Sequence, residues 1–142
     1  MSKLKVYLSG SVKHVEEDFQ SWRDRCQMLR MNGYYTNLDF IDPNSYFNYT
    51  NKQPQTDKQC LDLFMWQVEN CDVLLLNLDC SNISVGSMAE VEHAYCHNIP
   101  IIGFGSKSET WYNWCKERCS VILKDLDEAI DYINNTYAKV VY

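Results

Sequence analysis

Apolar residues along the chain follow two rhythms in turn. Leu4-Lys-Val-Tyr-Leu-Ser9 alternates apolar and polar positions and stops at Gly10, which predicts a strand and then a turn. Val15, Phe19, Trp22, Cys26 and Leu29 recur at steps of four and three, the spacing of one helix face, and Asn32-Gly33 supplies the C-terminal stop. Tyr34 to Ile41 reads as a second strand, ended by Asp42-Pro43. Residues 44 to 56, rich in Asn, Tyr, Gln and Pro, read as a polar, aromatic loop.

Beyond that loop, Leu61, Phe64, Val68 and Cys71 form the stripe of a helix over about Asp57 to Asn70. Val73-Leu-Leu-Leu-Asn-Leu78 is a nearly unbroken apolar run, as expected of a parallel strand buried on both faces. The pattern then predicts a helix over about 86 to 97, a strand at Ile99 to Phe104, a short helix over about 110 to 118, and a strand at Ser120 to Leu123. Leu126, Ala129, Ile130 and Ile133 mark a last helix. Strands alternating with helices predict one α/β domain, a three-layer sandwich around a parallel sheet of about five strands. In such sheets ligands bind beyond the C-terminal strand ends, here Ser9 to Lys13, Asn77 to Ser87 and Gly103 to Ser108.

Composition narrows the function. The chain has 142 residues, 46% of them hydrophobic and 13% aromatic, and a net charge of −6. An acidic surface repels polyphosphate, which argues against a nucleic-acid polymer as partner. A small anionic ligand stays open, because backbone N–H groups can hold a phosphate locally. No signal-peptide pattern opens the chain and no apolar run approaches the roughly 20 residues of a membrane span, so a cytoplasmic protein with no membrane partner is expected. Seven cysteines then read as reduced thiols. Cys115 and Cys119 have no matching Cys or His pair, and His93 and His97 share a helix face with no third ligand in view, so the expected metal site is none.

Two segments carry candidate chemistry. Tyr7-Leu-Ser9-Gly10-Ser11-Val12-Lys13 offers free N–H groups, hydroxyls and a lysine suited to an oxyanion; equally, it is a tight turn with Ser11 as helix cap. Asn77-Leu-Asp79, followed by Ser84-Val-Gly86-Ser87-Met-Ala-Glu90, sends a buried strand into a polar loop and a helix bearing an early carboxylate. Ser87-x-x-Glu90 also fits a capping box. A carboxylate at this edge suits cleavage of an N-glycosidic bond, because it stabilises, and can trap, the oxocarbenium-like state.

These residues carry a resemblance. Lys5-Val-Tyr-Leu-Ser-Gly-Ser11, Asn70-Cys-Asp-Val-Leu-Leu-Leu-Asn-Leu-Asp79, Ser84-Val-Gly-Ser-Met-Ala-Glu-Val-Glu-His-Ala94 and Ile99-Pro-Ile-Ile-Gly103 together resemble the nucleoside 2-deoxyribosyltransferase family, in order and over nearly the whole chain. The resemblance implies a flavodoxin-like sheet, no metal or other cofactor, a small nucleoside or nucleotide substrate, and a homo-oligomer whose sites a neighbouring subunit completes. It implies Glu90 as the nucleophile on the anomeric carbon, Tyr7 as the group orienting it, and Asn77 and Asp79 on the sugar side. Ser9 to Lys13, Ser84, Gly86 and Ser87 complete the expected substrate-binding set. Transfer of the sugar to another base is the leading expectation.

Branch features divide. Gly10-Ser11-Val12-Lys13 and Ser84 are similar to the 2′-deoxynucleoside 5′-phosphate N-hydrolases, whereas Val140-Val141-Tyr142 is similar to transferase tails that reach the active site. One position departs from the family. Where members commonly carry an aspartate that protonates the leaving base, this chain has Phe64, and Asp62 points about 200° away around the helix. A non-catalytic nucleotide-binding module is the expectation that departure raises.

Overall fold

The computed structural model describes residues 3–10, 21–43, 56–79, 85–106 and 111–138, and the statements below concern these. Five strands, β1 (Leu4–Ser9), β2 (Leu38–Ile41), β3 (Val73–Asn77), β4 (Ile101–Phe104) and β5 (Val121–Leu123), lie parallel in the order β2-β1-β3-β4-β5. The described helices are α1 (Ser21–Met31), α2 (Asp57–Glu69), α3 (Val85–Cys96), α4 (Tyr112–Arg118) and α5 (Leu126–Ile133), the last running into a π turn at Asn134–Ala138. This is the flavodoxin-like, doubly wound arrangement expected, with its topological switch between β1 and β3.

Strand alternation divides the core in two. Leu4, Val6 and Leu8 of β1, with Val73, Leu75, Ile102 and Phe104, face Trp22 and Cys26 of α1 and Ala129, Ile130 and Ile133 of α5. Tyr7, Leu74, Leu76 and Ile101 face the other way, onto Val68 of α2, Val91 and Ala94 of α3 and Cys115 of α4. Every residue of β3 is buried, as its unbroken apolar run requires.

Local chemistry sets the boundaries. Gly33 takes φ +86, its N–H reaches the Arg30 carbonyl at 3.1 Å, and the Tyr34 N–H reaches Leu29 at 2.9 Å. That is a Schellman stop for α1. It also holds Tyr34 and Tyr35 in the turn, Tyr35 at φ +53, so β2 begins at Leu38 and not at Tyr34. Thr56 and Gln59 form a reciprocal capping box on α2. Trp66 is 60% exposed, and Leu61 of the expected stripe is 50% exposed: only a narrow stripe of α2 around Val68 meets the sheet.

Candidate active site

Tyr7 and Ser9 are two apart on β1, so both point to the α3 side, Tyr7 deep and Ser9 at the strand's C-terminal end. On α3, Ser87, Glu90, Val91 and Ala94 are buried, the i, i+3, i+4, i+7 stripe that faces the sheet. Glu90 therefore occupies a position that helical periodicity reserves for an apolar side chain. Its carboxylate meets the strand at both hydroxyls: Tyr7 Oη donates to Oε2, and Ser9 Oγ donates to Oε1 at 2.8 Å. Ser87 lies inside α3, so the capping-box reading of Ser87-x-x-Glu90 does not hold.

Burial dominates the electrostatics. Removal from water pushes the Glu90 carboxyl from 4.5 up to about 7, against the opposing pull of the Tyr7 and Ser9 hydroxyls and the positive charge of Arg23. The Tyr7 hydroxyl is driven up by its burial and by the adjacent carboxylate, which keeps it a protonated donor.

On the opposite face of the sheet, Asn77 and Gly10 approach each other across the switch. A Cβ on Gly10 would lie 3.2 Å from Asn77 Cβ and 3.1 Å from the Trp22 ring, so the glycine lets β1 end close against α1. The Asn77 side chain accepts from the Asp79 N–H at 2.7 Å, forming an Asx turn. Asp79 Oδ1 in turn accepts from the Ser106 N–H at 3.1 Å. Gly105, at φ +92, permits this: a Cβ there would sit 2.4 Å from the Asp79 carboxyl carbon.

Spacing did not single out Arg23 and Asp42. Arg23 is buried, its Nη2 donates to the Gly10 carbonyl at 3.1 Å, its Nε lies 3.3 Å from Asp42 Oδ1, and its guanidinium covers the Trp22 ring at 4.7 Å. The pair ties the ends of β1 and β2 to α1. No periodicity marks it, because Arg23 looks like any polar residue beside a stripe position.

The fold thus brings Tyr7, Ser9 and Glu90 into contact, and places Gly10, Asn77 and Asp79 along the adjoining rim. Gly86 is exposed and Ser87 buried on α3. Ser11, Val12, Lys13 and Ser84 lie outside the described residues, as do Tyr46, Phe47 and Tyr49. Trp114 of α4 lies under the Arg118 guanidinium at 3.8 Å, and Arg118 also bonds Glu92 at 2.6 Å. Asp62 faces solvent and pairs with Lys58 at 3.0 Å, which removes it as a stand-in for the aspartate that Phe64 replaces.

A doubly wound sheet with a buried carboxylate beside its switch point defines the class. The chain belongs to the nucleoside 2-deoxyribosyltransferase family, whose profile matches residues 6–130. Solved structures share the fold at low identity. A conserved protein from Enterococcus faecalis V583 is 16% identical with a TM-score of 0.72, covering 94% of this chain and 99% of its own. The 2-deoxyribosyltransferase of Bacillus psychrosaccharolyticus is 14% identical with a TM-score of 0.65, covering 90% and 91%. The CMP N-glycosidase of Clostridium botulinum is 14% identical with a TM-score of 0.56, covering 92% and 98%. No curated protein matches the sequence as a relative. No described helix is long and apolar enough to cross a membrane.

Proposed function

We propose that this protein cleaves the N-glycosidic bond of (2′-deoxy)nucleosides or nucleotides through Glu90 and transfers the sugar to a second base. Family membership supports glycosyl transfer or hydrolysis on nucleosides as the activity type. The observation that carries the finer reading is Glu90 itself, a carboxylate kept in an apolar stripe and held by two hydroxyls at the sheet's ligand edge.

The chemistry follows from that placement. In its ionised form Glu90 attacks C1′, the C1′–N bond breaks, and its electron pair leaves with the base. The resulting glycosyl ester is opened by a second base, which regenerates the carboxylate. Tyr7 and Ser9 act as positioning residues, holding the carboxylate in one orientation and offsetting part of its desolvation. Asn77 and Asp79 line the sugar side, while Ser9 to Lys13, Ser84, Gly86 and Ser87 complete the substrate-binding set, as the family pattern implies. A neighbouring subunit completes the site.

Hydrolysis, with water as acceptor, is a second reading, favoured by Lys13 and Ser84 in the sequence. Phe64 favours a third, nucleotide binding without turnover. One experiment separates them: the protein is incubated with a deoxynucleoside or a deoxynucleoside monophosphate, with and without an acceptor base, and followed by chromatography. Exchange that needs the acceptor supports transfer, and base release without it supports hydrolysis. Glu90→Ala abolishes either reaction; activity that survives this change removes Glu90 from the nucleophile's role. Calorimetric binding without turnover in the unaltered protein supports the module.

A further inference from the structure

Helix α3 carries a second group of reactive side chains, farther along its axis than Glu90. His93 and His97 are four residues apart, so helical geometry sets both rings on one side, with centroids 4.3 Å apart. The fold supplies the third partner that spacing could not show. Glu69, the last residue of α2, places Oε1 2.7 Å from His93 Nε2 and 3.6 Å from His97 Nε2. One donor atom from each residue lies within 4.8 Å of the other two.

Three features point to a cation at this meeting. First, His97 Nδ1 lies 2.8 Å from the His93 carbonyl oxygen. A carbonyl only accepts, so Nδ1 bears a proton, and Nε2, the nitrogen nearer Glu69, is the ring atom left for a metal. Backbone contacts of this kind hold the tautomer that a ligating imidazole needs. Second, separations of 2.7 and 3.6 Å bracket the roughly 3.3 Å between neighbouring donors on a tetrahedral zinc with bonds of about 2.0–2.1 Å. Third, α2 leads into the start of β3 and α3 into the start of β4, in a parallel sheet. Both helices therefore end at the same sheet edge, and their negative dipole ends converge on the cluster.

We propose that Glu69, His93 and His97 form a zinc(II) site that ties the C-terminal ends of α2 and α3 together, at the sheet edge away from Glu90's hydroxyl partners. Zinc takes the place of the proton between His93 Nε2 and Glu69; that proton moves to His93 Nδ1 or to bulk water, and nothing is oxidised or reduced. Two imidazoles and one carboxylate are a ligand set that zinc accepts, with water in the open position on the solvent side.

The test uses the metal-stripped full chain, titrated with zinc chloride in a calorimeter and with cobalt(II) in a spectrophotometer. One equivalent binds per chain. Glu69→Gln, His93→Asn and His97→Asn each weaken it by at least the roughly 10–100-fold that loss of even an outer-shell partner brings. Zinc raises the melting temperature of the unaltered protein and not of the variants. All three positions are partly or fully exposed, so the metal-free variants melt with the parent, which separates lost binding from lost fold. Cobalt gives visible d–d bands without thiolate charge transfer. Absence of binding, binding unchanged in all three variants, or a thiolate signature placing the metal on cysteine would each overturn the proposal.

Discussion

Glu90 sits where burial works against its charge, and two pH effects of opposite benefit follow. Its carboxyl titrates near 7 because removal from water outweighs the Tyr7 and Ser9 hydroxyls. A nucleophile must be ionised, so kcat/KM should rise with pH through about 7 and level off above it. Tyr7→Phe removes one donor to the charged form, a contact of roughly 1.5–3 kcal/mol, which moves the midpoint of the profile up by about 1–2 pH units and lowers the rate at neutral pH roughly 5–50-fold. A Tyr7→Phe profile with an unmoved midpoint would deny Tyr7 its positioning role. Stability runs the other way. Between 4.5 and about 7 the native state holds a proton that the unfolded chain has released, so unfolding free energy falls as pH rises across that window and is flat on either side. Glu90→Gln removes the titration. It should therefore be inactive yet more stable than the parent at pH 8, by roughly 2–3 kcal/mol, with the gap closing below pH 4.5. Urea melts at the two pH values measure this directly.

Elements bind the site to the fold through contacts that no local pattern announces. Helix α1 was readable from Trp22, Cys26 and Leu29, and its stop from Asn32-Gly33, because both depend on residues close in sequence. Arg23 depends on Asp42 and on the Gly10 carbonyl, at the ends of two other elements, and was therefore invisible. Removing one partner leaves the other charge buried. Arg23→Met should cost roughly 3–5 kcal/mol in urea unfolding, while Arg23→Met with Asp42→Leu should recover much of that loss. Because Arg23 also favours the ionised form of Glu90, the single variant should shift the kcat/KM midpoint upward. Additive losses in the double variant would mean that the two residues act separately. The start of β2 was misplaced for a related reason: Tyr34 and Tyr35 suit a strand by type, but the Schellman stop claims them first.

Across the whole molecule, the order of elements, the buried central strand and the ligand edge were legible because a parallel sheet leaves unbroken apolar runs and places its functional loops at one edge. The pairing of Glu90 with Tyr7 was reachable only through the resemblance, and that with Ser9 was not legible at all, since residues 83 and 81 positions apart meet by topology and not by spacing. The cysteines report on this three-layer packing independently of the site. Cys26 lies under α1, Cys71 precedes β3, and Cys115 and Cys119 bracket the end of α4. Burial, the leading cause in each case, pushes their thiols up to about 12, 12, 11 and 12. With little thiolate, no access at Cys26, Cys71 and Cys115, and only partial access at Cys119, these four should resist alkylation in the native protein at pH 8, while Cys96, exposed on α3, is modified. Adding urea should then release Cys26 from the α1 layer and Cys71, Cys115 and Cys119 from the opposite layer in one transition, because both layers share the same sheet. Peptide mapping after a short pulse of N-ethylmaleimide at each urea concentration reads the two layers separately. Protection lost on the α4 side at clearly lower urea than at Cys26 would show that the face carrying Glu90 opens without the rest.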